Sequence, residues 1–178
     1  MPPPWFLLAS ALVVLALCLY LLLQARAMRT GAPWMGTPGR SVAAMVSLAR
    51  PRPGEVWADL GSGDGRTLLA AARAGCRAHG YELNGLLAAW SERRARQAGL
   101  AGLCTIHRQD FWTADLSDAD IVSVYLIPHR MGDLREKLAR ELRPGARVVS
   151  FRFPVPDWSP AGEDAGVYLY TAPGAAGA

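Results

Sequence analysis

The sequence predicts an α/β protein, a Rossmann-like, doubly wound and mostly parallel sheet preceded by one apolar helix. Three observations carry this reading. Short apolar runs alternate with helical patterns between about residues 38 and 151, as in parallel sheets covered by helices on both faces. The first of these runs leads into "GSGDG", three glycines in five positions, which suits a tight turn from strand to helix. Ahead of everything, Trp5 to Leu23 is nineteen residues without a charge.

As a helix, that stretch would run roughly 28 Å, close to the hydrocarbon thickness of a bilayer. It is apolar on every face, which a core helix of that length seldom is. A transmembrane helix within residues 1–25, touching the bilayer through residues 5–23, is therefore expected. A cleaved signal peptide is the rival, since Ala25-Arg-Ala27 imitates an A-x-A site. The missing basic residue in Met1–Pro4 and the length of the apolar run argue against it. Arg26, Arg29, Arg40, Arg50 and Arg52 follow the span, with no acidic residue before Glu55. The positive-inside rule then puts the N-terminus outside and the remaining chain in the cytoplasm. The membrane would be the bacterial inner membrane, or the mitochondrial inner membrane in a eukaryote.

Residues 26–36 read as a basic linker containing Gly31, Pro33 and Gly36. Much of the net charge of +4 comes from the five arginines between Arg26 and Arg52, where topology and anionic lipid account for it. No basic helix interleaved with aromatics follows, so nucleic acid is not the expected partner.

The remaining elements fill a domain over 37–170. Pro38 to Arg50 is helical, with Val42, Met45, Val46 and Ala49 on one face, and "RPRPG" stops it. Val56 to Leu60 is a strand, followed by the glycine turn and a helix to about Ala74. Ala78 to Glu82 is the second strand. Asn84 caps a helix to about Ala98, with Gly99 just beyond its end. Cys104 to Arg108 makes a third strand. The uninterrupted apolar run Ile121 to Ile127, "IVSVYLI", reads as a strand buried on both faces. Met131, Leu134, Leu138 and Leu142 recur at helical spacing, and "RPG" precedes the strand Ala146 to Phe151. Right-handed crossovers turn this order into a layered sandwich. Beyond Trp158 only Val167 to Tyr170 reads as a strand, so a shortened C-terminal strand pair is expected, then a disordered tail over 171–178.

Cys18, Cys76 and Cys104 are scattered, with no C-x-x-C, which fits a reducing compartment and no disulfide framework. His79, His107 and His129 have no metal-ligand spacing. No metal is expected.

The glycine turn decides the cofactor. A dinucleotide fingerprint needs glycines at its first, third and sixth positions. Counting from Gly61, the third is Gly63 but the sixth is Arg66. A P-loop fails for want of Gly-Lys-Ser/Thr. What remains is acidic-x-Gly-x-Gly-x-Gly, from Asp59 to Gly65. That pattern suits S-adenosylmethionine, which has ribose and adenine without phosphate and carries a sulfonium, an ammonium and a carboxylate at its other end. Gly61, Ser62, Gly63 and Gly65 are the candidate turn residues, where backbone can approach closely and helix-start amides can receive the carboxylate. Asp59 would set negative charge near the ammonium. A tight turn without a ligand is the alternative.

Two further carboxylates strengthen the set. Glu82, twenty-three positions after Asp59, ends the second strand, where an acidic side chain can accept both ribose hydroxyls. Asp110 follows the third strand, placed to accept from the adenine amino group, with Phe111 beside it to cover the ring. A solvated strand-end carboxylate is the plain alternative for Glu82, and an Asx turn for Asp110.

These motifs resemble the class I, seven-strand methyltransferases. Within that class the chain resembles the membrane-anchored mitochondrial protein-lysine methyltransferases that act on the adenine nucleotide translocase and the ATP synthase c-subunit, and their prokaryotic relatives. The matching pieces are "DLGSGDGR", "GYELN", "QDFW", "LREKLARELRPGARVVS" and "FRFPVPDW", over about Thr37 to Trp158. The resemblance places cofactor binding on Asp59, Gly61, Gly63, Glu82 and Asp110. Thr37-Pro38 matches the family's segment leading into the first helix, for which a simple N-cap is the other reading. It also implies a lysine acceptor, here on a membrane protein.

Methyl transfer asks the protein to align two reactants and exclude water. Base and amide methyltransferases place Asn/Asp-Pro-Pro-aromatic after the fourth strand, where this chain has Leu126-Ile-Pro-His129. That argues against base or glutamine-amide acceptors. His129 is a weak candidate to assist lysine deprotonation; a surface histidine at a helix start is the alternative. A small-molecule or lipid acceptor, and a non-catalytic cofactor-binding module, remain as competing functions.

Overall fold

In the computed structural model, backbone is described for residues 3–30 and 36–173, and side chains for the same residues except 4 and 22–30. The chain divides into two units, residues 1–35 and 36–178. The described residues of the first form one helix, α1 (Pro4–Thr30). Its described side chains from Trp5 to Leu21 are all exposed. Among the described residues no helix is long and apolar enough to cross a membrane. The stretch expected to span, 5–23, runs past the last described side chain of that segment, and most of the expected linker lies outside the described residues.

The second unit holds a seven-strand sheet. Its elements are α2 (Gly39–Ala49), β1 (Val56–Leu60), α3 (Arg66–Arg73), β2 (Arg77–Tyr81), α4 (Gly85–Gln97), β3 (Cys104–His107), β4 (Ile121–Val124), α5 (Met131–Glu141), β5 (Arg147–Phe151), β6 (Gly162–Asp164) and β7 (Val167–Thr171). The strand order is β3-β2-β1-β4-β5-β7-β6. The first five strands pair in parallel, while β7 runs antiparallel to both β5 and β6. The order reverses between β1 and β4, the crevice where open α/β sheets bind ligands at their carboxyl ends.

Alternation along β1 builds both faces. Trp57 joins the core cluster containing Met45 of α2, Leu68 of α3 and Ala95 of α4. Ala58 and Leu60 face the opposite cluster, with Leu134 and Leu138 of α5. Helix α4 is capped at both ends as its sequence dictates. The Asn84 side chain accepts from the Leu86 and Leu87 amides at the start of α4, and Gly99 follows its end with φ +70°.

One expectation is refined and two need correction. Neither strand of the C-terminal pair is missing, and the expected shortening falls on β6, which is three residues long; the link from β5 is an irregular loop without a helix. The tail begins later than 171, because Thr171 ends β7 and buried Ala172 donates to the Ala146 carbonyl; residues 174–178 lie outside the described residues. The strand predicted over Ile121–Ile127 stops at Val124. Its pairing ends level with Leu60 and Ser150, and Pro128 turns the following chain into a 3-10 turn.

Candidate active site

The glycine turn hangs from the end of β2. The Gly61 and Ser62 amides both donate to the Tyr81 carbonyl at 3.0 Å, and the Gly65 amide closes the loop on the Ser62 carbonyl at 2.9 Å. Gly61, Gly63 and Gly65 all have positive φ, a region that other residues enter only under strain. At Gly65 space forbids a side chain as well, since a Cβ would lie 2.1 Å from the Ser91 hydroxyl of α4. That glycine serves packing of α4 against the turn. Ser62 is buried, its hydroxyl without a hydrogen-bond partner.

Glu82 sits across the turn. Its carboxylate accepts from the Gly63 amide at 2.9 Å and from the Asn84 amide at 2.7 Å. A carboxylate has about four acceptor positions, so acceptor capacity remains for two hydroxyls. Asp59 is buried beneath the turn, accepting from the Ser123 hydroxyl at 2.6 Å, while Ser123 accepts from the Trp57 indole at 2.7 Å. Burial pushes the Asp59 carboxyl up to about 7, opposed by the Ser123 hydrogen bond and reinforced by the negative charges of Glu82 and Asp64. Asp110 accepts from the Trp112 amide at 3.0 Å, so one of its oxygens forms the Asx turn. Phe111 belongs to the core cluster of Leu60, Leu116 and Leu126, and the half-buried ring beside it is Trp112, 4.8 Å away. Asp59, Glu82 and Asp110 thus lie at the carboxyl ends of three adjacent strands. His129 is exposed in the 3-10 turn Pro128–Arg130, which follows the carboxyl end of β4.

Several contributors had no individual signal in the sequence. Asp64, within the turn, receives Arg66 at 2.9 Å and Arg94 at 2.8 Å. Despite the burial that opposes it, its carboxyl is lowered by the hydrogen bond and charge of Arg66 and by the charge of Arg94. Arg66 also donates to the Thr37 carbonyl at 2.9 Å. Thr37 therefore packs beside the turn by its backbone; it is not the N-cap of α2, a position Pro38 occupies without a side-chain bond. Ser123 was hidden as one polar residue in an apolar run, although the β1–β4 register sets it directly opposite Asp59. His79 and His107, with no metal-like spacing, meet across β2 and β3 with ring nitrogens 3.1 Å apart. Their planes differ by 10° with centroids 5.4 Å apart, which together with the short nitrogen separation describes an edge-to-edge N–H···N bond. Among the described residues no group of three or more ligating side chains could hold a metal ion.

Fold and site together define a class I, S-adenosylmethionine-dependent methyltransferase domain. The profile of the ANTKMT methyltransferase domain matches residues 59–162, more than half of the chain. The adenine nucleotide translocase lysine N-methyltransferase of Mus musculus is 46% identical over 134 residues, covering 75% of this chain and 58% of the mouse protein. A protein-lysine N-methyltransferase of Saccharolobus islandicus (strain REY15A) is 33% identical over 137 residues, covering 72% of this chain and 81% of the archaeal one. Among solved structures, an RNA methyltransferase from Salinibacter ruber in complex with S-adenosyl-L-homocysteine superposes with a TM-score of 0.74 at 37% identity. That match covers 78% of this chain and 94% of the other. This chain belongs to the ANTKMT methyltransferase domain family. It spans a little over half the length of the mouse relative.

The residues fit S-adenosylmethionine. The spare acceptor positions of Glu82 are polar capacity in want of a ligand, whereas the Ser62 hydroxyl is turned against Gly80 of β2. Negative charge at Asp59 is opposed by Glu82 and Asp64, so a cationic group beside it would relieve repulsion. Glu82 would hold the ribose, Asp59 would face the ammonium, and the free oxygen of Asp110 would reach toward the adenine.

Proposed function

We propose that the protein is a membrane-anchored methyltransferase that modifies lysine side chains of a membrane protein. The observation that carries this reading is the set Asp59, Glu82 and Asp110 at successive strand ends, in a chain whose mouse and archaeal relatives are named lysine methyltransferases. The cofactor supplies an electrophilic methyl group, whose departure leaves a neutral thioether. The chain's own task is to align the acceptor nitrogen with that methyl and to exclude water. A lysine must arrive neutral, a state held by roughly one in a thousand or fewer at pH 7. Desolvation near a sulfonium favours the neutral amine, and His129 is a candidate to take up the proton.

Anchoring is supported by α1. Trp5, Leu8, Val13 and Leu15 are each more than 60% exposed, and an apolar surface of that extent calls for a covering phase. The arginines that follow favour an outside N-terminus and a cytoplasmic methyltransferase domain. The Salinibacter neighbour supplies a second reading, a nucleic-acid base as acceptor, which the Leu126-Ile-Pro-His129 segment disfavours.

Purified protein and methyl-labelled cofactor, incubated with membranes from a deletion strain, separate these readings. Label on a lysine of an integral membrane protein is the expected outcome. Label in RNA supports the base acceptor, and label in a protein-free organic extract supports a lipid or small molecule.

A further inference from the structure

The segment Arg152–Trp158 is bound into the fold in a way that cofactor binding does not explain. Arg152, directly after β5, has φ +70°, and the Phe153 amide donates back to the Phe151 carbonyl at 2.9 Å. This two-residue span closed on a non-glycine residue with positive φ is a γ-turn, a strained arrangement that persists only where its surroundings enforce it. Those surroundings are specific. The Ser150 hydroxyl donates to the Phe153 carbonyl at 2.6 Å, and the Val155 amide donates to the Tyr170 hydroxyl at 3.1 Å. Asp157 pairs with Arg135 of α5 at 3.1 Å, and Trp158 packs edge-on against Tyr170.

What the turn positions is a set of rings. Phe151 meets Tyr125 edge-to-face with centroids 4.8 Å apart, and Phe153 lies 6.3 Å from Tyr125 with planes within 25°. All three side chains are half-buried. Tyr125 is the first residue beyond β4, whose last residue pairs with Leu60 of β1 and Ser150 of β5. Phe151 packs toward the Trp57 cluster and Phe153 toward the opposite, Leu134 cluster, with Tyr125 against both. The rings therefore straddle the carboxyl ends of β4 and β5, across the strand-order reversal from the carboxylates of β1 and β2. The Arg152 guanidinium already lies 5.8 Å from the Phe153 centroid, at the distance over which ring faces attract cations.

We propose that Tyr125, Phe151 and Phe153 form the wall against which the acceptor's alkylamine side chain lies, and that this wall holds lysine and its N-methylated forms. The proposal rests on the lysine reading above. An apolar wall favours the neutral amine before transfer by withholding water from the ammonium. Transfer itself leaves the nitrogen a cation, since the positive charge passes from the sulfonium to the methylated amine, and each added methyl replaces a hydrated N–H by a group that ring faces attract. A strained, stapled turn suits this task, because ring positions must stay fixed while the acceptor exchanges.

The test uses the full chain in detergent, loaded with S-adenosylhomocysteine and titrated by NMR with Nα-acetyl-Nε-trimethyl-lysine amide. The neutral analogue in which carbon replaces the trimethylated nitrogen is the control. The wild type should prefer the cationic probe. Tyr125→Leu and Phe153→Leu, which keep apolar bulk but remove the ring face, should each weaken its binding on the order of three- to thirtyfold. Tyr125→Phe should retain it, and cofactor affinity should stay within about twofold throughout. Equal affinity for both probes, unchanged binding in both leucine variants, or parallel loss of cofactor and probe would overturn the proposal. Absence of label on any lysine in the membrane assay would instead remove the function on which it rests.

Discussion

The two sides of the crevice between β1 and β4 are held by different physics. On the β1–β3 side the turn is fixed by backbone and charge: amides on the Tyr81 carbonyl and on Glu82, and Asp64 clamped by Arg66 and Arg94. On the β4–β5 side it is fixed by rings and a strained turn around Tyr125, Phe151 and Phe153. The contrast matches the two reactants of the proposed lysine methylation. A cofactor rich in hydroxyls and charge needs directed hydrogen bonds, whereas an alkylamine about to lose its proton needs an apolar surface.

Breaking the first side should have the largest effect. In Gly65→Ala the new Cβ meets Ser91 while φ stays at +76°. Overpacking of about 1–3 kcal/mol and backbone strain of similar size should lower the denaturation midpoint sharply. Gly54→Ala is the control, since φ is +87° there but no atom lies within 4 Å of the added Cβ. If both variants lose the same stability, strain alone accounts for the effect and the contact with α4 contributes nothing.

Asp59 sharpens the comparison through pH. Its folded carboxyl is raised to about 7, so its contribution to stability is fully present below pH ~4, the ordinary carboxylate range, and is lost as pH rises through about 7. Cofactor-free Asp59→Asn should therefore match the wild type at acid pH and exceed it above pH 7, by a few kcal/mol at most. Denaturant titrations at several pH values check this. A variant less stable than the wild type at pH 8 would show that the ionised carboxylate is compensated within the protein.

The sequence revealed the first side better than the second for a physical reason. Three positive-φ positions leave glycines in the sequence, and a carboxylate at a strand end follows from where the strand stops. Glu82 and Asp59 could be placed on those grounds. The wall of rings depends on a γ-turn at Arg152, a residue whose identity gives no hint of positive φ, so Phe153 was legible only as part of a family motif. Hydrophobic periodicity says where a strand is buried but not where its partner ends, which is why β4 stops three residues before its apolar run does. β6 is short and carries Glu163 and Asp164, so no apolar pattern announced it. Ser123 and the histidine pair needed strand register, which follows only from the assembled sheet.

Calorimetric titration of the full chain with S-adenosylmethionine, comparing wild type and Glu82→Ala, tests most directly the claim that the turn and Glu82 hold the cofactor. Glu82 also accepts from the Gly63 and Asn84 amides, so circular dichroism must first show that the variant is folded. The wild type should bind, NAD should fail to compete, and the alanine variant should lose about 1–3 kcal/mol of binding, the range for hydrogen bonds to a charged group. Equal affinity in a folded variant, or displacement of the cofactor by NAD, would contradict the assignment.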